Sequence, residues 1–118
     1  MILPDSNIWI EHIRKSDPRL VAFLRQGQIL THPAVIGELM LGNLTQRKSI
    51  LQDMLGLEPA VTAKDSEVID FIEHHKLYGR GIGFVDVHLL VSAKLSEAML
   101  WTNDKRLFAA AETLGIAL

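Results

Sequence analysis

Short apolar runs alternate with polar turns along the chain. Residues 2–5 read as a short strand, and residues 6–14 as an amphipathic helix with Ile10 and Ile13 at a helical spacing beside Trp9. Asp17-Pro18 then reads as an N-cap followed by proline at the first helical position. Leu20, Val21, Phe23 and Leu24 continue this second helix, and Gly27 stops it. "QIL" at 28–30 reads as a strand, and Pro33 starts a third helix that runs to Gly42. A fourth helix covers about 46–55 and ends at Gly56, and a fifth covers 64–77 with Val68, Ile69 and Ile72 inward. "YGRGIGF", with three glycines in five residues, is a loop. A helix from about 86 to 95 follows, then the strand "AMLWT", a helix from Asp104 to Leu114, and a last strand in the tail "GIAL".

Strands alternating with helices imply right-handed crossovers and a mainly parallel sheet between helical layers, the α/β class. With 118 residues, no repeat and no linker, the chain is expected to be a single domain, 1–118. Hydrophobic residues make up 48% and charged residues 22%, the balance of a soluble globular domain. No apolar run approaches the roughly 20 residues of a membrane span, and the N-terminus lacks the pattern of a signal peptide. The absence of cysteine excludes disulfides, a thiol nucleophile and Cys-ligated zinc, and suits a cytoplasmic location. A net charge of −2 argues against a general nucleic-acid binder, whose footprint is basic. It leaves room for a nuclease whose acids cluster at a metal.

The acids carry that possibility. In open parallel sheets, functional groups gather beyond the carboxyl ends of the strands. Asp5 ends the first strand, Asp104 follows the strand "MLW" with Thr102 and Asn103 between, and Asp86 follows the glycine loop. Glu38 lies within the apolar helix "AVIGELMLG". Taken singly, the three Asp residues are explained as helix caps and Glu38 as an exposed helix residue. Taken together, four acids on one edge point to a shared cation, since packed carboxylates repel one another. Oxygen-only ligands suit Mg²⁺ or Mn²⁺ rather than zinc, and metal-assisted phosphoryl chemistry is the reaction class they serve.

"ILPDSNIWI", "GELMLG", "GRGIGFVDVHLLVSAKL" and "LWTNDKRL" resemble, in order and spacing, the motifs of PIN-domain ribonucleases, and among them those of the VapC toxins of bacterial toxin–antitoxin pairs. The likeness spans essentially the whole chain. It implies a PIN-like three-layer α/β/α sandwich with an acidic pocket formed by Asp5, Glu38, Asp86 and Asp104. On this resemblance Asp5, Asp86 and Asp104 hold Mg²⁺, with Mn²⁺ as the other candidate. Glu38 binds a second ion or orients the attacking water. Ser6, Thr102 and Asn103 fix the carboxylates by hydrogen bonding. Hydrolysis leaves a 5′-phosphate and a 3′-hydroxyl. The resemblance also implies a small VapB-like antitoxin covering the pocket, often with an Arg, and a homodimer. Pro4 departs from the pattern, which commonly has a β-branched residue there, and is expected to end the strand at Leu3.

RNA also has to be held. Arg14, Lys15, Arg80, Lys105 and Arg106 adjoin the site segments and are candidate phosphate contacts, with Arg80 favoured because its glycine loop can close on substrate. Each is more readily explained as a solvated surface charge. A metal-free histidine mechanism finds poor support. His74 and His75 diverge by about 100° on a helix, His88 falls roughly opposite Asp86, and His12 and His32 have no evident partner. Trp9 and Trp101 lie in apolar runs and read as core, while Tyr78 beside the loop reads either as core or as a base-stacking platform. An aspartyl phosphatase would need a second acid close behind its nucleophile, where "DSNIW" offers Ser and Asn. The alternative to the enzyme is a catalytically inactive PIN-fold module that binds RNA or protein.

Overall fold

A computed structural model describes residues 1–118. Its elements run β1 (Ile2–Pro4), α1 (Ser6–Arg14), α2 (Pro18–Arg25), β2 (Leu30–Thr31), α3 (Pro33–Met40), α4 (Arg47–Leu55), β3 (Glu58–Pro59), α5 (Asp65–His75), α6 (Phe84–Leu95), β4 (Met99–Trp101) and α7 (Lys105–Thr113). β1 pairs in parallel with β4, Leu3 opposite Leu100, and β2 pairs in parallel with β3. A parallel bridge between Ile2 and Ile29 joins the two pairs, so the sheet order is β3-β2-β1-β4. Ala117 bridges Leu100 along the outer edge of β4. The parallel α/β layering expected from the alternation of elements is therefore present.

The apolar pattern explains which faces meet. β1 is buried throughout, as a strand covered on both faces must be. α6 is the most enclosed helix: Val87, Leu89, Leu90, Val91 and Ala93 are all buried. It packs on β4 and β1. Leu107, Ala110 and Ala111 turn the inner face of α7 toward the same core, and small alanines let that helix approach closely. Trp9 and Trp101 are both core residues, as expected.

Several boundaries and faces differ from the sequence expectation. Ile10 and Ile13 are exposed at 40% and 37%, and it is Ile8 and Trp9 that α1 buries. In α5, Val68 is fully buried and Ile72 packs on the core, but Ile69 faces solvent at 54%. α6 begins at Phe84, two residues before the expected start at about 86, which sets Asp86 in its first turn. β2 lies at Leu30–Thr31, one residue beyond the expected run, and β3 was not anticipated, since its two residues are exposed and carry no apolar pattern.

Pro4 stays within β1, opposite Trp101, and does not end the strand at Leu3. The ladder shows why it is tolerated. The Ile2 amide donates toward Gln28 on the β2 side, and the Asp5 amide donates toward Trp101 on the β4 side. Alternation puts the nitrogen of Pro4 on the β2 side, beyond the single bridge that joins β1 to β2. The donor that proline lacks is one this short ladder does not use.

Candidate active site

The carboxyl ends of β1 and β4 lie side by side, and the chain leaves both strands directly into helices. Asp5 is the N-cap of α1 and Asp104 the N-cap of α7. Asp5 Oδ1 accepts the Ser6 amide at 2.7 Å. Asp104 Oδ1 accepts the amides of Arg106 and Leu107 at 2.9 and 3.1 Å. Asp86, in the first turn of α6, reaches back to the Gly83 amide at 2.9 Å. All three aspartates thus do the capping work that their positions suggested, and helix N-termini are where gathered negative charge is best tolerated.

Hydrogen bonds tie Asp5, Asp104 and Glu38 into one frame, while Asp86 bonds only the Gly83 amide. The Thr102 hydroxyl donates to Asp5 Oδ2 at 2.8 Å and accepts the Asp104 amide at 3.1 Å. Ser6 donates its hydroxyl to Glu38 Oε2 at 2.9 Å, so α3 delivers its one acid to the start of α1. Asn7, not singled out in the sequence reading, donates to Asp5 Oδ2 at 3.2 Å and to Thr102 Oγ1 at 3.3 Å. Its side-chain oxygen accepts the Asn103 amide at 3.1 Å. An amide residue two places after a strand-end acid was the available signal. Asn103 takes part through its backbone and not, as expected, through its side chain.

The electrostatics follow from this packing. Asp5 is buried, and loss of hydration pushes its carboxyl above the ordinary carboxylate range. The bonds from Thr102 and Ser6 pull it back, and the charges of Asp86 and Asp104 push it up again. Arg14 pairs with Glu11 and His88 hydrogen-bonds Asp65, and neither contact includes the four acids. No three His, Asp or Glu side chains enclose a common point closely enough to hold an ion as they stand. The caps account for this, because each aspartate is turned toward its own helix. The donor set nevertheless fits a hard divalent cation: it is all oxygen, mutually repelling and without a basic partner.

The other candidates lie farther out. Arg80 Nη2 donates to Thr113 Oγ1 at 3.4 Å, near the C-terminal end of α7. Lys105 and Arg106 are exposed in the first turn of that helix. Arg14 pairs at the surface with Glu11 at 3.6 Å. His88 bonds Asp65 at 2.8 Å, and His32 caps α3 by accepting the Ala34 amide at 3.0 Å. His74 and His75 lie edge to face on α5. Tyr78 is exposed at 61%, which removes the core reading for it.

Thr102→Val tests the hydrogen-bonded frame. The isosteric change leaves the Asp104 amide without its acceptor and removes a bond that holds the Asp5 carboxyl down. Divalent-metal affinity, measured by titration calorimetry, is expected to fall about 10–100-fold, the usual loss when a partner behind a ligand is removed. An affinity within twofold of wild type would show that the frame does not matter.

The parallel order β3-β2-β1-β4, with three helix-capping aspartates and a fourth acid from α3 at one edge, defines a class, and the family comparison assigns it. The family model for the PIN domain matches residues 2–113, and the chain belongs to the PIN-domain family. Within that family it is of the VapC type: it is 44% identical over 119 aligned residues to Ribonuclease VapC32 of Mycobacterium tuberculosis, in strains CDC 1551 / Oshkosh and ATCC 25618 / H37Rv. That alignment covers 100% of this chain and 96% of the relative. The same fold occurs in PAE2754 from Pyrobaculum aerophilum, with a TM-score of 0.63 and 18% identity over 96% of this chain and 85% of that one. It occurs also in FitAcB from Neisseria gonorrhoeae, with a TM-score of 0.61 and 23% identity over 95% of this chain and 94% of that one.

Proposed function

We propose that the protein is an endoribonuclease that depends on Mg²⁺, accepts Mn²⁺, and acts as the toxin of a toxin–antitoxin pair. The observation that carries this reading is Asp5. It is a buried carboxylate beyond the end of β1 that feels the charges of Asp86 and Asp104 and has no basic partner. The 44% identity to a protein named as a ribonuclease supports the reaction.

On this reading Asp5, Asp86 and Asp104 hold the cation. When bound, it lowers the pKa of a water and neutralises charge on the phosphate. Glu38, steadied by the Ser6 hydroxyl, orients the attacking water and receives its proton. Thr102 and Asn7 donate to Asp5 Oδ2 and so limit the rotamers that the carboxylate can take. Water attacks phosphorus as the bond to the 3′-oxygen breaks, and that oxygen takes a proton from solvent, leaving a 3′-hydroxyl and a 5′-phosphate.

The same reading assigns a cytoplasmic location, a VapB-like antitoxin whose cationic tail enters the acidic pocket, and a homodimer. Leu41, the C-cap of α3, exposed at 90%, and Leu55, the last residue of α4, exposed at 65%, support the dimer as apolar side chains on the surface. The direct test incubates wild-type protein with RNA in Mg²⁺ and sequences the 5′ ends of the products. Internal cuts bearing 5′-phosphates, absent in excess chelator, are expected. Equal cleavage in chelator would overturn the metal assignment, and no cleavage would overturn the nuclease.

A further inference from the structure

Arg106 rests on a glycine. A Cβ built on Gly81 would lie 2.5 Å from Arg106 Nη1, 2.9 Å from Cδ and 3.1 Å from Cζ, so the guanidinium end occupies the space that a side chain would take. Gly81 has φ +75°, and Gly79 in the same loop has φ +73°, yet a Cβ on Gly79 would meet nothing within 4 Å. The two glycines therefore share the backbone requirement, and only Gly81 has a tenant.

The position of that tenant matters. The Arg106 amide donates to Asp104, and the loop beneath its side chain continues to Gly83, whose amide donates to Asp86. Arg106 thus spans the two segments that carry Asp104 and Asp86. Neither the Arg14–Glu11 pair nor the His88–Asp65 contact includes it. Arg80, favoured on sequence for its mobile loop, is instead engaged with Thr113.

We propose that Gly81 is the seat of a phosphate grip: because it has no side chain, the Arg106 guanidinium lies across the loop between the segments bearing Asp86 and Asp104 and holds a backbone phosphate of the RNA strand. This rests on the endoribonuclease reading. A guanidinium offers five donors in a planar fork and binds phosphate with two parallel bonds. Laid on backbone, it loses the rotamer freedom that usually weakens a surface arginine. Gly81 is a positioning residue, and Arg106 is the residue that touches substrate.

The test is the salt dependence of binding to single-stranded oligouridylate, measured in chelator so that the RNA stays intact. Each phosphate contact contributes about 0.7 to the slope of log affinity against log salt on single strands. Arg106→Ala and Gly81→Ala are each expected to lower the slope by about 0.7, and the double variant by no more than either alone. The displaced group is the end of a flexible side chain, so Gly81→Ala moves the guanidinium and does not disrupt packing. Gly79→Ala carries the same φ strain and is expected to keep the wild-type slope. An unchanged slope in Arg106→Ala or in Gly81→Ala overturns the proposal, as does an equal loss in Gly79→Ala. If Gly81→Ala fails to fold, Arg106→Ala decides alone. Wild type that cleaves RNA while its slope ignores Arg106 sinks only the grip; wild type that cleaves none sinks the nuclease reading with it.

Discussion

Asp5→Asn protein is expected to cleave RNA more than about 100-fold more slowly than wild type, a loss beyond that seen when only a partner behind a metal ligand is removed. The substitution keeps the shape and the acceptor for the Ser6 amide but removes the charge. It also turns an amide NH₂ toward Thr102 and Asn7, which both donate to Asp5 Oδ2. That mismatch costs about 1–3 kcal/mol of stability, so circular dichroism and thermal melting must accompany the rate. A folded variant with wild-type cleavage would remove Asp5 from the chemistry.

The second large effect is thermal. Mg²⁺ at about 100 times its Kd should stabilise the wild-type protein by about 2.7 kcal/mol, on the order of 10 °C in Tm for a domain of this size. The pH dependence has a definite sign. The Asp5 carboxyl is raised above its ordinary value of 3.8, mainly by burial, so the folded state binds a proton more tightly than the unfolded chain does. Its contribution to stability is therefore full below pH 3.8 and is lost as pH rises through the folded-state value. Above that window the metal-free protein carries an ionised, poorly hydrated carboxylate beside two others. Melting in chelator and in Mg²⁺ across this range, with Asp5→Asn as the reference for all other carboxylates, isolates the group. The cation should raise Tm most above the window and should raise it far less in the variant. Equal shifts in both proteins would mean that the ion binds elsewhere.

Much of this fold is legible where local chemistry is unambiguous. Asp17-Pro18 opens α2, and Asp17 accepts the Arg19 and Leu20 amides as the dipeptide suggests. Gly27 closes it in a left-handed conformation at φ +66°. Strands were harder to place, because β2 and β3 have two residues each and owe their existence to pairing partners. Faces were harder still: Ile10, Ile13 and Ile69 share the residue type of core positions, and only tertiary contact decides which isoleucines are covered. For the site, the sequence pointed to Asp5 and Asp104 because strand-end geometry is local, and to Asp86 because the glycine loop marks the start of a helix. It could not show that Ser6 reaches Glu38 across 32 positions, or that Asn7 sits between Asp5 and Thr102. It favoured Arg80 from its loop alone, whereas the contacts of Arg80 with Thr113 and of Arg106 with Gly81 join residues distant in sequence.

The pairing of β1 with β4 also has a consequence for timing. Asp5 and Thr102 are 97 positions apart, and their bond requires the two strands to be neighbours. Domains emerge from the ribosome beginning with the N-terminal residues. A nascent chain holding Asp5, Glu38 and even Asp86 still lacks the strand against which the first of them is set. The edge that carries Asp5 and Asp104 is thus assembled last, once β4 has emerged.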